Sequence, residues 1–580
     1  MIRIPYGISN FETLISDGSI YIDRTNYIET LESLSWRYLF FLRPRKFGKS
    51  LFLSLLDHYY NINHKDQFDL LFGQYYIGKN PTPLANQYLI LQFDFSQIDT
   101  SSFENTFNGF LNNVKMGASI FYGSYPQFFS EEDIKRVKTY DFPAKIIQDV
   151  LEQMETRIPN QKIYLLIDEY DHFANEILSF RYNDFMDMVG KNGFVRKFYE
   201  AIKVGTFKGV IDRLFVTGVS PITLDSLTSG FNIATNISLE EPFNEMTGFS
   251  EAEVLEILKG IEVPESDLNR VMQDMRAWYN SYKFSLDAER SVYNSNMILY
   301  FASNYGLRKK YPQELLDPNI ASDYNKIRRS FRIRGQEKEN LVHLNQLVTT
   351  GELQSQLVRQ YDLAKRFNPS DFISLLYYQG ITTIWETDFD IVTFKMPNYV
   401  IKQLYYQYFH QVVLEQTGLN DAQIDVSAKV RTLAKHNDIQ PLVAYTESLL
   451  QELSVRDTIR FDEKHIKTIF TSAFFTSGIY TIHNEWEVKV PIQQGKTGKG
   501  FVDLFLQRRQ PYATKYQFVI EFKYIKQKEQ SKLEAVKAAA VEQLQTYLQH
   551  DDYLKKLDDL KAYVVVFVGV KGEVVELETT

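Results

Sequence analysis

Four short apolar runs, at residues 38–42, 88–95, 162–167 and 213–217, are separated by segments long enough to hold helices. That alternation builds a parallel sheet, because parallel neighbours need a crossover and cannot be joined by a tight turn. The amino-terminal part is therefore expected to be α/β. Between the first run and a helix expected at 51–60 lies Arg43-Pro44-Arg45-Lys46-Phe47-Gly48-Lys49-Ser50, which ends as a phosphate-binding loop ends. Backbone N–H groups at a helix N-terminus hold anions, the lysine ammonium reaches the outer phosphates, and the hydroxyl ligates Mg²⁺. Arg45, Lys46, Gly48, Lys49 and Ser50 are accordingly the candidates for holding ATP, with Ser50 on its Mg²⁺. As a bare pattern the loop is half matched, since Arg43 stands where GxxxxGKS has its first glycine.

The third run ends in Leu165-Leu166-Ile167-Asp168-Glu169. Open α/β sheets bind ligands at the carboxyl ends of their strands, so two acids there complement the loop. Asp168 is expected to hold Mg²⁺ through water and Glu169 to polarise the attacking water.

A chain of 580 residues must divide into more than one core. Hydrophobic residues at 44% and charged residues at 24% are globular values, which exclude a disordered or coiled-coil chain. Cys is absent, which removes disulfides, thiolate zinc sites, iron–sulfur clusters and a cysteine nucleophile, and suits a reducing compartment. No basic, then apolar, leader opens the chain, and no apolar run approaches the ~18 residues of a membrane helix, so a soluble, cytoplasmic protein without a membrane partner is expected. The net charge of −9 argues against a protein coated with nucleic acid, yet between Lys496 and Lys532 nine bases face three acids.

Beyond about residue 250 the pattern turns helical, opening on the capping sequence Ser250-Glu251-Ala252-Glu253. A helix at 371–378 and strands at 381–386 and 391–395 suit a winged-helix-like module, followed by a helical bridge at 400–460. The last part reads αβββαβ, with a helix at 463–475, strands at 480–490, 501–507 and 516–524, a helix at 531–549 and a strand at 562–568. Domains are thus expected at 1–250, 251–460 and 461–580.

The amino-terminal motifs resemble the predicted AAA-ATPase-like family of bacterial genomes, whose loop reads RPRxFGKS without the first glycine. The resemblance rests on Pro5, Gly7, Phe11, Tyr21-Ile22-Asp23-Arg24-Thr25 and the loop itself. It continues through Ile167-Asp168-Glu169-Tyr170-Asp171, Val216-Thr217-Gly218-Val219-Ser220, Trp278-Tyr279-Asn280-Ser281-Tyr282, Val292-Tyr293-Asn294 and Leu376-Tyr377-Tyr378-Gln379-Gly380, covering most of residues 1–400. It implies a P-loop NTPase sheet and a polar sensor at Thr217 near the γ-phosphate. Asn280 and Arg24 depart from the usual Asp and Lys, at positions expected to lie away from the phosphates.

Near the carboxyl terminus Asp503 lies on one expected strand and Glu521-Phe522-Lys523 on the next, so Glu521 and Lys523 share a face. Two carboxylates on adjoining strands can hold a divalent cation, with the Phe522 carbonyl as a further ligand and Lys523 beside the attacking water. The arrangement resembles the PD-(D/E)xK nuclease superfamily, of restriction-endonuclease-like fold. Gly500-Phe501-Val502-Asp503 matches its G-R-x-D with Phe501 in place of Arg, and Gln543 with Tyr547 matches its Q-xxx-Y. Glu485, ahead of Glu463, would supply an upstream acid, and Mg²⁺ or Mn²⁺ the metal. The basic stretches 496–499 and 508–515 would contact a nucleic-acid backbone. The nine histidines show neither HxxxH nor HxxE spacing for zinc, no Ser lies in G-x-S-x-G, and the aromatic content of 15% reads as packing.

Together these readings point to an ATP-binding, metal-dependent nuclease acting on DNA in preference to RNA, with the ATPase as a gate. The alternative is a nucleotide-sensing scaffold whose nuclease-like part binds nucleic acid or protein without cutting. Oligomerisation is left open.

Overall fold

The computed structural model describes residues 2–173, 182–221, 233–321, 337–361, 368–417, 425–455, 462–492 and 496–578. Two compact units emerge, one of residues 1–309 and 316–399, the other of 310–315 and 400–580, so the expected middle region at 251–460 is shared between them. Parts of the helical stretch 400–460, namely 418–424 and 456–460, lie outside the described residues. Among the described residues no helix is long and apolar enough to cross a membrane.

In the first unit β1 (Tyr38–Leu42), β2 (Tyr88–Asp94), β3 (Lys162–Asp168), β4 (Ile211–Gly218) and β5 (Thr235–Asn236) form a parallel sheet in the order β2-β3-β4-β1-β5. This is the expected P-loop NTPase-type α/β architecture. Because all strands run the same way, the loop after β1, the acids closing β3 and Thr217 closing β4 share one sheet edge. The two-residue β5 is too short to show periodicity in the sequence. Both faces are covered, which explains why the strands read as continuous apolar runs. Helix α2 (Lys49–Tyr60) lays Phe52, Leu55 and Leu56 against Ile90, Leu166 and Phe215. On the opposite face Phe93 packs edge-on to Phe198, and Phe95 stacks on Phe110 at 4.6 Å. The short α1 (Phe11–Ser16), capped by Asn10, packs on α2, with the Phe11 N–H donated to Ser54 Oγ at 2.9 Å.

The residues that carried the amino-terminal resemblance act largely as pins. Asp171, fully buried, accepts the N–H groups of Val219 and Ser220 at 3.0 and 2.7 Å, locking the turn after β4 to the turn after β3. Asn294 caps the helix Ser295–Arg308, and Ser250 with Glu253 forms the expected capping box.

The part expected to be winged-helix-like follows α3 (Glu337–Thr350). Strand β6 (Glu352–Ser355), which the sequence reading did not include, joins β7 (Thr383–Asp388) and β8 (Ile391–Lys395) in an antiparallel sheet ordered β6-β8-β7, with α4 (Pro369–Tyr378) between. Its hairpin tip carries Asp388 and Asp390 around an exposed Phe389, a charge that repels phosphates.

The second unit contains α5 (Glu463–Ser477), β9 (Tyr480–Ile492), β10 (Lys496–Arg508), β11 (Gln517–Ile525), α6 (Leu533–His550), β12 (Leu560–Val568) and β13 (Lys571–Leu577). The sheet order β13-β12-β11-β10-β9 extends the expected αβββαβ by one antiparallel edge strand. The pair β9–β10 is also longer than its apolar pattern. Lys496 and Thr497 pair with Ile492 and Pro491, so the Gly/Lys-rich stretch expected as a turn is mostly ladder, and 493–495 lie outside the described residues.

Candidate functional site

The loop between β1 and α2 is shaped from within. Arg43 is buried at 1% exposure, sandwiched between Phe41 and Phe284, and donates to the carbonyls of Leu42, Ser238 and Phe243 at 2.7–2.9 Å. Burial pulls its guanidinium down to about 9. The side chain in place of the first glycine is thus a structural plug beneath the loop. Gly48 closes the loop at φ +95°, a left-handed backbone that strains any residue with a Cβ, and α2 starts at the next residue. Lys49, 4% exposed, donates to the carbonyls of Arg43 and Pro44 at 3.1 and 3.2 Å and lies 3.7 Å from Glu169.

The loop borders a cavity of about 450 Å³ lined by Arg45, Lys46, Gly48, Lys49, Ser50, Asp168 and Glu169, the residues singled out by sequence. The two acids are polarised in opposite senses. Burial and the neighbouring Glu169 raise the Asp168 carboxyl, against hydrogen bonds from Ser50 and Thr217. Burial would also raise Glu169, but Lys49, His172 and Arg45 outweigh it and hold the carboxyl down to about 2. Thr217 is bonded to Asp168 and fully buried, and it does not line the cavity. Arg45 donates to His172 Nδ1 at 3.0 Å, which places a His beside Glu169 that sequence reasoning passed over. Asp94, closing β2 beside Asp168, was missed because a single acid at a strand end carries no pattern. Arg24, expected to lie apart, lines the same cavity, held in a two-pronged pair with Glu253 and bonded to the Gly248 carbonyl. Asn280 instead caps a helix and accepts from Ser291 and Asn398.

In the second unit the register gathers acids into a row. Leu504 pairs with Ile520, so the next step sets Asp503 beside Glu521, and the pairs Val502–Trp486 and Leu504–Asn484 bracket Asp503 and Glu485. Asp503 accepts the Phe522 N–H and the Lys467 ammonium, each at 2.8 Å. Lys467 also pairs with Glu485, which sits at φ +58° and is exposed. Glu463 accepts the Tyr524 N–H at 3.2 Å, and its carboxyl is raised by burial and by Asp503 against the pull of Lys523. Glu521 is 1% exposed, and Lys523 donates to its Oε1 at 2.8 Å. Its Oε2 is buried with no hydrogen-bond partner among the described residues. Burial and then Asp503 push the Glu521 carboxyl up to about 7.

Residues 5–228 match the family model "Predicted AAA-ATPase", and residues 461–577 match "PD-(D/E)XK nuclease superfamily". The chain joins an AAA-ATPase-like domain to a PD-(D/E)XK nuclease-like domain. An uncharacterized protein in the vnfD 5′ region of Azotobacter chroococcum mcd 1 is 25% identical over 303 residues, 52% of each chain. The chain therefore spans about half the length of that curated relative. A Walker-type ATPase of Pyrococcus abyssi superposes loosely, with TM-score 0.34 and 11% identity over 66% of this chain and 94% of its own.

Within the nuclease-like domain Gln543 donates to the Tyr547 hydroxyl at 2.8 Å, and the Tyr547 ring lies where a Cβ on Gly500 would be. The motif pair Gln543 and Tyr547 thus packs the strand that carries Asp503. Lys467 escaped the sequence reading because nothing local links α5 to β10. Two of the expected phosphate contacts are turned to internal use. Arg508 bonds the Thr514 carbonyl and Asp559, and Arg509, 4% exposed, bonds the Gln313 carbonyl over the Tyr512 ring. Lys499 pairs with Glu487, while Lys526 and Lys528, just past β11, are exposed.

Proposed function

We propose that the chain is an ATP-binding, metal-dependent nuclease that cleaves phosphodiester bonds of nucleic acid, DNA in preference to RNA, under control of its nucleotide state. The observation that carries this reading is the bare, buried Glu521 Oε2 next to Asp503. A buried carboxylate oxygen without a partner is costly, and a cation shared with a second carboxylate offsets that cost. The donor set is all oxygen, which suits Mg²⁺ or Mn²⁺. A divalent ion held by Asp503 and Glu521 supplies Lewis acidity and a water of lowered pKa. Lys523, bonded to Glu521, orients the nucleophile and offsets charge developing on the phosphate. Lys467, in contact with both, draws the Asp503 and Glu485 carboxylates to the same space. Backbone contacts fall to Lys499, Lys515, Lys526 and Lys528 in place of the inward-turned arginines.

In the AAA-ATPase-like domain Lys49 and Arg45 would meet the phosphates, with Ser50 and Asp168 toward Mg²⁺ and Thr217 holding Asp168 in place. Both cations now depress Glu169. Engaging them with phosphate raises the basicity of Glu169, so the base strengthens when substrate is present. Lys467 within the acid row favours a second reading, a scaffold that does not cut, because an ammonium already neutralises Asp503. Incubating the full chain with plasmid DNA and with RNA, in Mg²⁺ or Mn²⁺ and with or without ATP, separates the two. Chelator-sensitive cleavage supports the nuclease, and intact substrate under every condition supports the scaffold.

A further inference from the structure

We propose that Asp57, His58 and His64, joined by Glu12, form a binding site for one divalent transition-metal ion of the zinc class. The site lies at the far end of α2 from the phosphate-binding loop. Asp57 and His58 occupy the last turn of that helix, and a 3₁₀ turn, Ile62–Gln67, folds His64 back so that the two imidazoles face each other at 4.3 Å. One ligand atom from each of Asp57, His58 and His64 lies within 4.8 Å of the others. The six-residue His spacing is outside the motifs for zinc, so only the fold shows it.

Both rings are oriented as ligands are. His58, 4% exposed, donates Nδ1–H to the Ser54 carbonyl at 2.7 Å, which leaves its Nε2 lone pair toward the cluster. Gln67 fixes His64 in the same tautomer. Its Nε2 donates to Glu12 Oε1 at 3.2 Å, so its Oε1 is left to accept Nδ1–H from His64 at 3.0 Å. Metal-bound histidines characteristically spend their second nitrogen on such a carbonyl or amide oxygen. Glu12 Oε2 lies 3.4 Å from His58 Nε2, which puts a second carboxylate beside a set of two nitrogens and one carboxylate. That set suits Zn²⁺, in contrast to the oxygen row of the nuclease-like domain. An ion there ties α1 to α2. Pro5, Gly7, Ile8 and Leu14, on and before α1, line the cavity that the loop borders, so the ion would hold one wall of the cavity against the helix that opens at Lys49.

The test uses the full chain, stripped with chelator and kept in excess Mg²⁺ to fill oxygen-only sites. Zn²⁺ titrated by calorimetry should bind at one equivalent per chain with micromolar or tighter affinity. Co²⁺ should give the visible absorption of a low-coordinate nitrogen–oxygen site, and Zn²⁺ should raise the melting temperature. His64→Ala, at a half-buried position on the short turn, should lose all three responses, and Glu12→Gln should weaken binding about tenfold or more. Glu521→Ala should retain them. Equal Zn²⁺ uptake by wild type and His64→Ala would overturn the proposal. So would a melting temperature that follows the pH of the two imidazoles and ignores Zn²⁺, which would mark a protonated His58 bonded to Glu12.

Discussion

Replacing Arg43 with glycine would restore the first glycine of GxxxxGKS, yet the structure makes it a destabilising change. The guanidinium satisfies three main-chain carbonyls and is packed between two rings, and removing it orphans those acceptors in the core. Arg43→Gly should cost about 2–5 kcal/mol in urea unfolding and bring no gain in ATP affinity. Lys49→Ala should keep the fold and lose ATP binding by calorimetry, because the ammonium lines the cavity. Glu169→Gln should bind ATP and fail to hydrolyse it; hydrolysis at the wild-type rate would show that another group takes the proton. At this scale the GKS segment and the Asp168-Glu169 pair were legible because each is a local string. The role of Arg43 was not, since its partners Ser238 and Phe243 come from nearly two hundred residues away. Lys467 and His172 also meet partners from other elements, Asp503 and Arg45, while His58 and His64 stand at a spacing that matches no metal motif.

Strands with several apolar residues announce themselves, and β1 to β4 stand where their runs predicted within one or two residues. Strands β5 and β6 have two and four residues, and their pairing is decided by neighbours distant in sequence. The carboxyl-terminal half of β9 and the start of β10 are interrupted in sequence by Glu487, Lys489, Lys496 and Lys499, so their ladder looked like a turn. Packing between β10 and α6 yields a prediction. Gly500→Ala would drive a Cβ into the Tyr547 ring and should cost about 1–3 kcal/mol, recovered in part by the double variant with Tyr547→Ala. A second concerns the buried end of β11. Glu521 has an ordinary value of 4.5 and is raised to about 7 in the fold. Between those values the folded state binds more protons, so the stability of the metal-free protein should fall as pH rises from about 4.5 to 7 and stay reduced above. Glu521→Gln should remove that loss, unfolding at higher urea than wild type at pH 8 and at similar urea near pH 4. A wild-type midpoint that rises across this window would contradict the assignment.

At the scale of the whole chain, an AAA-ATPase-like domain and a nuclease-like domain lie on one polypeptide. In the proposed function the row on β10 and β11 cuts a phosphodiester, and ATP acts on that event from the other domain. The most direct measurement is plasmid cleavage by the full chain in Mg²⁺ or Mn²⁺, with and without ATP, for wild type, Asp503→Ala, Glu521→Ala and Lys523→Ala. Wild type should show metal-dependent cleavage that changes with ATP, either carboxylate variant none, and Lys523→Ala at most a few per cent with metal binding intact. Cleavage that needs no metal, or that persists in Asp503→Ala and Glu521→Ala, would contradict it.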